Sequence, residues 1–258
     1  MDLQLENKTA FVAGSSRGIG LAIAKAFLAE GARVAISGRN EDELLKAESE
    51  LLNQASSDRV LSIHGDLTQP EIIEQALNQI YQCWNSIDIL VANIGTGRGQ
   101  AGWQAPIGEW QRLMEINLYS AVNLATAAIP KMVEQKNGSI VFVSSITGIE
   151  STGAPLAYSS AKAAILNFMK NLSRQLASSG IRVNAIAPGN ILFPGGSWEG
   201  HLEKRRDEVI RYIETEVPMQ RFGTREEIAD AVVFLGSKRA SFITGALLVA
   251  DGGQTRCL

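Results

Sequence analysis

Short apolar runs alternate along the chain with longer segments whose apolar residues recur every three or four positions. The short runs are typical of strands covered on both faces, and the spaced pattern is typical of helices that pack on one face. In the first helical segment, Ile19, Ile23 and Phe27 share a face, and Gly31 follows as a C-terminal cap. The runs predicted to be strands are 9–13, 33–37, 60–63, 87–91, 139–143, 182–186 and 245–249.

Helices are predicted in the segments between these runs. A charged helix is expected over about 41–52, and Pro70 opens the next one. A long helix is expected to run past Asn117 toward Pro130, and another begins after Pro155. This strand–helix alternation predicts βαβ units and a parallel sheet. The predicted fold class is α/β, a three-layer Rossmann fold with a doubly wound parallel sheet of about seven strands.

The segment over about 190–222 breaks this alternation. It holds a stretch rich in Pro, Gly and aromatic residues, followed by a charged, helix-like run over 203–214. We interpret it as an insertion that forms a small substrate lid. Thr224 and Glu227 then make a capping box for a further helix. No internal repeat or low-complexity linker divides the chain, so residues 1–258 are predicted to form a single domain.

Composition narrows the class of protein. With 258 residues, 45% hydrophobic and 20% charged, the chain resembles an ordinary soluble globular domain. A net charge of -3 gives no reason to expect nucleic acid or a membrane surface as partner. Cys83 and Cys257 form neither a disulfide framework nor a metal-ligand spacing, and the first residues lack the pattern of a signal peptide. We expect a cytoplasmic protein without a metal site.

Histidine is scarce. His64 closes a predicted strand and is interpreted as structural, whereas His201 lies in a mixed-charge segment and is interpreted as solvated. Neither belongs to a recognisable Ser/His/Asp set. Acid–base chemistry therefore has to rest on other groups.

A glycine-rich loop lies between the first predicted strand and the first predicted helix. Glycines at such a turn let the backbone approach a pyrophosphate, whose charge is favoured at a helix N-terminus. An ordinary strand–helix turn is the alternative, but the position inside a βαβ unit favours a dinucleotide. The predicted phosphate-binding residues are Gly14, Ser15, Ser16, Arg17, Gly18, Ile19 and Gly20.

The end of the second predicted strand bears on the choice of cofactor. A carboxylate there would bind the ribose 2′-hydroxyl of NAD and repel the phosphate of NADP. The sequence instead has Ser37, Gly38 and Arg39, and Arg17 supplies a second cation. Arginine suits phosphate because its planar fork donates two hydrogen bonds. We predict NADP(H) in preference to NAD(H), with solvated loop arginines as the alternative interpretation.

A hydroxyl, a phenol and an amine follow the fifth predicted strand, at Ser145, Tyr158 and Lys162. Residues four apart on a helix share a face, so Tyr158 and Lys162 are expected to point the same way. An ammonium beside a phenol is expected to lower the pKa of the phenol from about 10. In isolation the pair also fits an amphipathic helix with a surface Lys, but its place behind a dinucleotide loop favours proton transfer.

These motifs resemble the short-chain dehydrogenase/reductase family over essentially the whole chain. The glycine loop is similar to the family's glycine motif, and Asp66 and Leu67 are similar to its adenine-contacting pair. The family's catalytic-site asparagine matches Asn117, and its catalytic Ser, Tyr and Lys match Ser145, Tyr158 and Lys162. Its cofactor contacts after the fourth strand match Asn93 and Gly95. The segment that holds the nicotinamide carboxamide matches Pro188, Gly189 and Ile191.

The resemblance implies a mechanism of hydride transfer between a nicotinamide and a carbonyl carbon. In it Tyr158 exchanges the proton at the substrate oxygen, Lys162 lowers the pKa of Tyr158 and binds the nicotinamide ribose, and Ser145 stabilises charge on that oxygen. Asn117 would help hold a water in the proton path. The resemblance also implies a homotetramer formed partly by the helices that contain Asn117 and Lys162. The four-residue spacing of the Tyr and Lys argues against enoyl reductases of the same superfamily.

Two stretches depart from the family pattern. Ala92 stands where the first asparagine of the family's Asn-Asn-Ala-Gly stretch is usual, and Ile94 stands in place of its alanine. Phe193 matches the usual threonine near the carboxamide and cannot donate that hydrogen bond. Neither change touches the residues of proton transfer, so they bear on cofactor fit and leave the expected reaction class unaltered.

The substrate is less constrained than the reaction. Its pocket is expected between Tyr158, the 95–102 loop and the 190–222 segment. Arg98 either faces an anionic substrate group or is solvated. Three aromatic residues either wall an apolar or ring-shaped substrate or pack the lid onto the core: Trp103, Phe193 and Trp198.

Three functions remain open at this point. The first is a reductase of 3-oxoacyl groups or similar ketones, in keeping with the resemblance to 3-oxoacyl-carrier-protein reductases. The second is a sugar or polyol dehydrogenase with the same catalytic residues. The third, from another class, is a dinucleotide-sensing protein that no longer catalyses, which would not need Asn117, Ser145, Tyr158 and Lys162 together.

Overall fold

The computed structural model describes residues 1–257 and contains one seven-stranded sheet. Every neighbouring pair of strands is parallel, and the strand order is β3-β2-β1-β4-β5-β6-β7. The order reverses between β1 and β4, which is the feature of a doubly wound sheet. The predicted fold class is confirmed. The strands are β1 Thr9–Ala13, β2 Arg33–Gly38, β3 Val60–His64, β4 Ile89–Ala92, β5 Gly138–Val143, β6 Ile181–Pro188 and β7 Leu247–Ala250.

Eight α-helices lie in the described part of the chain, and local sequence explains several of their ends. Asn40 accepts a hydrogen bond from the Glu43 backbone at the start of α2, and Pro70 takes the first position of α3. The capping box of Thr224 and Glu227 is present at α8. The helices are α1 Gly18–Ala29, α2 Glu41–Leu52, α3 Pro70–Trp84, α4 Ile107–Met114, α5 Ser120–Gln135, α6 Leu156–Leu176, α7 Ser197–Glu216 and α8 Arg225–Gly236.

The core lies in two layers, one on each face of the sheet. On one face α1, α2 and α8 bury their apolar stripes against the strands, and on the other face α3, α5 and α6 do so. Phe11 and Phe142, on central strands, are fully buried. Complete burial of one such side chain stabilises the fold by about 1.5–3 kcal/mol. This rigid sheet fixes the positions of the loops at its carboxyl edge.

Two strands begin later than the sequence predicts. β4 starts at Ile89, because the Asp88 carboxylate accepts hydrogen bonds from the Thr9 backbone and the Asn137 amide, 3.0 Å from each, at the entrance to the strand. β7 starts at Leu247, because Gly245 adopts a φ of +71°, in the left-handed region.

The long helix predicted to pass Asn117 is broken into two. A π-helical turn, Glu115–Tyr119, joins α4 to α5, and Asn117 lies at its centre. Turns of this type are rare in proteins, and those that do occur are often found at functional sites. α5 continues past Pro130, which lies inside it, as far as Gln135.

The 190–222 segment contains α7, which is longer than the predicted run. The helix is kinked at Arg205, whose φ of -146° and ψ of 51° are not helical. Across the kink, the ring of Trp198 stacks on Tyr212, with centroids 5.6 Å apart, and meets Phe222 edge-on at 5.5 Å. Trp198 therefore packs within the segment.

The described residues form neither a membrane-spanning helix nor a metal-binding cluster. None of their helices has both the length and the apolar character that crossing a bilayer requires. Residues 1–257 also bring together no group of three or more His, Cys, Asp or Glu side chains that could hold a metal ion.

Candidate active site

The predicted site residues converge because the sheet is parallel. The loops that follow the strands lie at the carboxyl edge, and the strand order reverses between β1 and β4, which stay paired up to Ala13 and Ala92. In open α/β sheets the crevice beside such a reversal is the usual place for a ligand. The glycine loop follows β1, Asn93 follows β4, and Ser145 follows β5.

The glycine loop has the backbone that its sequence predicts. Gly14 and Gly18 adopt φ values of +66° and +59°. A Cβ on Gly20 would collide with the carbonyl oxygen of Gly14, so only glycine allows this turn to close. α1 begins at Gly18 with no acidic residue in its first turn, which leaves its N-terminal dipole free to attract an anion. Ile19 packs against the core behind the loop.

Side chains beneath the loop fix its shape. Asn93 donates to the Gly14 carbonyl over 2.8 Å, and Ser37 Oγ accepts from the Gly14 amide over 3.1 Å. Ser15 is fully buried and accepts a hydrogen bond from the Ser37 amide over 3.0 Å. Ser16 lies against Gly38, where a Cβ would come within 2.8 Å of the Ser16 Cβ. Asn93 and Ser15 thus support the loop from behind.

Two ion pairs flank the end of β2. Arg39 lies 3.6 Å from Asp66, and Arg17 lies 3.5 Å from Glu43 in the first turn of α2. Both arginine side chains are more than half exposed, so each pair is weak and exchangeable. Glu43 was not predicted from the sequence to lie at this site, although an acidic residue shortly after the end of a strand could have indicated it. Leu67, next to Asp66, has its side chain in the core.

Lys162 is buried among main-chain groups beside Tyr158. It is 4% exposed, and its Nζ donates to the Val143 carbonyl over 2.9 Å and lies 5.8 Å from the centroid of the Tyr158 ring. Ser144 Oγ donates to the Lys162 carbonyl over 2.9 Å, which ties α6 to the end of β5. The predicted proximity of Tyr158 and Lys162 is therefore present.

Ser145 is held in an orientation suited to donating its proton. Its Oγ accepts a hydrogen bond from the Thr147 amide over 3.2 Å. With that acceptor position used, the hydroxyl hydrogen is free for Tyr158 or a substrate oxygen. The loop can approach α6 because residue 148 is glycine: a Cβ there would lie 2.7 Å from the Lys162 carbonyl carbon.

Asn117, in the turn between α4 and α5, is hydrogen-bonded to the loop after β4. Its Oδ1 accepts from the Thr96 amide over 2.9 Å, and its Nδ2 donates to the carbonyls of Thr96 and Leu113 over 3.1 and 2.9 Å. A Cβ on Gly95 would lie 2.8 Å from Asn117 Oδ1 and 3.1 Å from Lys162 Nζ. Gly95, Asn117 and Lys162 therefore meet at one point.

The pKa directions differ from the sequence expectation. Burial of the hydroxyl raises the pKa of Tyr158 above its usual value, an effect that hydrogen bonding from Ser145 opposes. Burial also lowers the pKa of Lys162 to about 8. The expected lowering of the Tyr158 pKa is wrong, because burial of the hydroxyl outweighs the hydrogen bond from Ser145, and the Lys162 ammonium is directed at the Val143 carbonyl.

The segment after β6 approaches the loop after β7. Gly189 lies where a Cβ would be 2.7 Å from the Asp251 Cβ, and the Gly189 amide donates to the Ala250 carbonyl over 3.0 Å. Pro188 is the last residue of β6, and the side chain of Ile191 belongs to the core. Gly189 therefore lies just after β6, packed against the end of β7 and Asp251.

The residues expected around the substrate have varied positions. Phe193 packs on the glycine loop, where a Cβ on Gly18 would be 2.7 Å from its ring. Arg98 donates to the Gly195 carbonyl over 3.0 Å, which links the 95–102 loop to the 190–222 segment. Trp103 is 80% exposed. Of the three aromatic residues, Phe193 and Trp198 thus make protein contacts.

Comparison with known proteins supports the same family. A family model described as enoyl-(acyl carrier protein) reductase matches residues 13–255. The 3-oxoacyl-[acyl-carrier-protein] reductase FabG of Chlamydia muridarum is 36% identical over 254 residues, which cover 98% of this chain and 100% of that protein. The 2-(R)-hydroxypropyl-CoM dehydrogenase of Xanthobacter autotrophicus is 33% identical over 252 residues, covering 96% of this chain and 99% of the relative.

A solved structure matches along the full length. The L-sorbose reductase from Gluconobacter frateurii, in complex with NADPH and L-sorbose, superposes with a TM-score of 0.89 at 34% identity, covering 100% of both chains. Sequence relatives, structural neighbour and site geometry agree on the reaction class. The chain belongs to the short-chain dehydrogenase/reductase family and is an oxidoreductase acting on C=O and CH–OH groups.

Proposed function

We propose that the protein is an NADPH-dependent reductase of ketones, with a 3-oxoacyl group or a similar carbonyl compound as its substrate. The observation that carries the proposal is the convergence of Ser145, Tyr158, Lys162 and Asn117 at the carboxyl edge, beside a glycine loop. The third possibility, a dinucleotide sensor without catalysis, would not need this arrangement.

The glycine loop fits a dinucleotide cofactor. Its left-handed glycines, the crowded position at Gly20 and the uncompensated N-terminus of α1 make a cradle for a pyrophosphate. The residues that would hold the cofactor are Gly14, Ser15, Ser16, Arg17, Gly18, Ile19, Gly20, Arg39, Asp66, Leu67, Asn93, Gly95, Tyr158, Lys162, Pro188, Gly189 and Ile191. Among these, Asn93 and Ser15 act by supporting the loop.

The choice of NADP(H) over NAD(H) rests on the end of β2. Residues 37–39 are Ser, Gly and Arg, so none of them carries a carboxylate. The guanidinium groups of Arg17 and Arg39 are exposed enough to turn toward a phosphate. Their present partners, Glu43 and Asp66, would be exchanged for the doubly charged phosphate. The NADPH complex of L-sorbose reductase supports this choice by analogy.

In the proposed mechanism the protein handles the proton at the reacting oxygen. A bound nicotinamide supplies the hydride. Tyr158, kept protonated by its raised pKa, donates a proton to the substrate oxygen, and Ser145 donates a hydrogen bond to the same atom. Lys162, still mostly charged at neutral pH, stabilises the phenolate that Tyr158 becomes once it has donated its proton. Asn117 helps to hold a water in the proton path beside Lys162.

The proposed substrate preference is drawn from the relatives. Reductases of 3-oxoacyl groups on acyl carrier protein recur among the relatives, at 33–36% identity. A sugar or polyol dehydrogenase is the second candidate, favoured by the structural match to L-sorbose reductase. In either case we propose the 190–222 segment as the lid over the pocket, since Phe193 and Gly195 in it already touch the glycine loop and Arg98.

The test is NADPH oxidation measured with a panel of 3-oxoacyl thioesters, simple ketones and ketoses. Tyr158→Phe is expected to lower kcat at least about 100-fold, since it removes the acid. Tyr119→Phe is the matched control, because Tyr119 is 49% exposed and its loss should leave the rate unchanged. Equal rates in wild type and Tyr158→Phe would overturn the catalytic assignment. NADPH binding without turnover of any substrate would favour the alternative of a non-catalytic dinucleotide sensor.

We further propose a homotetramer in the cytoplasm. Apolar side chains exposed on the helices around Asn117 and Lys162 support association: Tyr119, Val133 and Leu156 are 49%, 38% and 44% exposed. Light scattering at micromolar concentration measures the mass. A monomer would overturn this part of the proposal and leave the reaction untouched.

A further inference from the structure

The chain beyond β7 turns back toward the 190–222 segment. We call residues 251–257 the post-sheet segment. The Asp251 carboxylate accepts hydrogen bonds from the amides of Gly253 and Thr255 over 2.9 and 2.7 Å, which closes the turn. The Gly252 carbonyl accepts a hydrogen bond from the Met219 amide over 3.1 Å. The turn therefore brings Gln254 beneath the 190–222 segment.

Both ends of the Gln254 side-chain amide are used. Its Oε1 accepts from Asn190 Nδ2 over 2.7 Å, and its Nε2 donates to the hydroxyl of Tyr212 over 2.7 Å. Asn190 directly follows Gly189, and Tyr212 lies on α7. One side chain thus connects the main chain after β6 to the second half of α7.

The second half of α7 follows the kink at Arg205 and buries Val209 and Ile213. Tyr212, in this half, stacks on the ring of Trp198, which lies before the kink. Fixing Tyr212 therefore fixes the aromatic packing of the whole segment. A second attachment lies further along: Arg256 pairs with Glu216 over 3.3 Å.

The same stretch also reaches the loop that carries the catalytic serine. Glu150, five residues after Ser145, accepts the backbone N–H groups of Arg256 and Cys257, each over 2.6 Å. The post-sheet segment consequently touches three parts of the proposed pocket. They are Asn190, α7 and the loop after β5.

We propose that Gln254 is a positioning residue, which holds α7 against Asn190 so that the carbonyl pocket is formed before the substrate arrives. Gln254 acts through Asn190 and Tyr212, and its loss opens the 190–222 segment. The inference rests on the proposed function in assigning the pocket to this place. Pre-formed pockets bind more tightly because less ordering is required on binding.

The first experiment is limited trypsin digestion of the full chain, with cut sites located by mass spectrometry. Lys204, Arg205 and Arg206 are exposed at the kink. Gln254→Met keeps the side-chain length and removes both hydrogen bonds, and Tyr212→Phe removes one while keeping the stack. We expect cleavage at the kink to accelerate about fivefold in Tyr212→Phe and more in Gln254→Met.

The control is Thr215→Ala, since Thr215 is exposed on the same helix and bonds only to the α7 backbone. Cleavage rates at the kink that match wild type in both Gln254→Met and Tyr212→Phe would overturn the inference. This readout needs no turnover, so it stands or falls independently of the proposed reaction.

The second experiment separates positioning from general destabilisation. Gln254→Met is expected to raise the KM for the ketone about fivefold while kcat changes less than about twofold. Gln254→Glu should restore the wild-type KM, because its carboxylate accepts from both Asn190 and the Tyr212 hydroxyl. An unchanged KM in Gln254→Met, or equal damage in Gln254→Glu, would contradict the role.

Discussion

Lys162 directs its ammonium at the carbonyl of Val143, 2.9 Å away, while lying 5.8 Å from the centre of the Tyr158 ring. The two side chains are therefore neighbours whose charged forms are both disfavoured by burial. Because a buried ammonium or phenolate loses its contact with water, the pKa of Lys162 is lowered and the pKa of Tyr158 is raised.

This burial gives stability a pH dependence. The pKa of Lys162 falls from 10.5 unfolded to about 8 folded, so between these values the unfolded chain binds more protons and the free energy of unfolding rises with pH. The gain across the window is about 3 kcal/mol, from about 1.36 kcal/mol for each pKa unit. Above pH 10 the raised pKa of Tyr158 acts in the opposite direction, since the unfolded chain loses its phenol proton first.

Urea unfolding at pH 7, 8, 9 and 9.5 checks this dependence, with Lys162→Met compared against wild type. The variant should be more stable at pH 7, and the difference should shrink as pH rises. Lys131→Met, at an exposed site paired only with Glu134, is the control and should keep the wild-type profile. Parallel profiles for wild type and Lys162→Met would contradict the burial argument.

Arg39 after β2 and Arg17 in the glycine loop allow a test of cofactor choice. Arg39→Ala and Arg17→Ala are each expected to weaken NADPH binding about tenfold and NADH binding less than about twofold, because only NADPH carries the extra phosphate. Glu43→Gln should strengthen NADPH binding, since it frees Arg17 from its 3.5 Å ion pair. Fluorescence titration of NADPH and NADH measures both constants.

The control for the acidic partner is Glu41→Gln in the same helical turn. It should change NADPH affinity by less than Glu43→Gln does. Retention of the NADPH-to-NADH ratio in both arginine variants would show that the 2′-phosphate is bound elsewhere or that neither cofactor is preferred.

Gly20 offers a sharp test of the loop. In Gly20→Ala the new Cβ meets the Gly14 carbonyl, a backbone atom that cannot move without opening the loop. We expect a loss of stability of about 1–3 kcal/mol and of NADPH binding, measured by thermal unfolding with and without cofactor.

The matched control is Gly108→Ala. Gly108 lies in the first turn of α4 with no atom within 4 Å of an added Cβ, so the helix should gain up to about 1 kcal/mol from the substitution. A Gly20→Ala variant that binds NADPH as tightly as wild type would contradict the assignment of the loop.

The sequence predicted best what depends on neighbours along the chain. β1, the Gly14–Gly20 loop and the Thr224 capping box are short-range patterns, and each is present as expected. The ion pair of Arg17 with Glu43 and the bridge from Asn190 to Gln254 join residues that are distant in sequence, so only the folded chain reveals them. The pKa direction of Tyr158 was wrong for a related reason, because the depth of burial is set by the packing of the whole molecule.

The π turn at Asn117 has a further consequence. An α-helix advances by about 100° per residue, so one extra residue in the turn rotates everything after it by about that angle. Leu113 before the turn and Leu124 after it are both buried, and Asn117 lies at the centre of the turn between them. Deleting one residue from the turn would therefore change the direction of the Asn117 side chain and break its hydrogen bonds with Thr96.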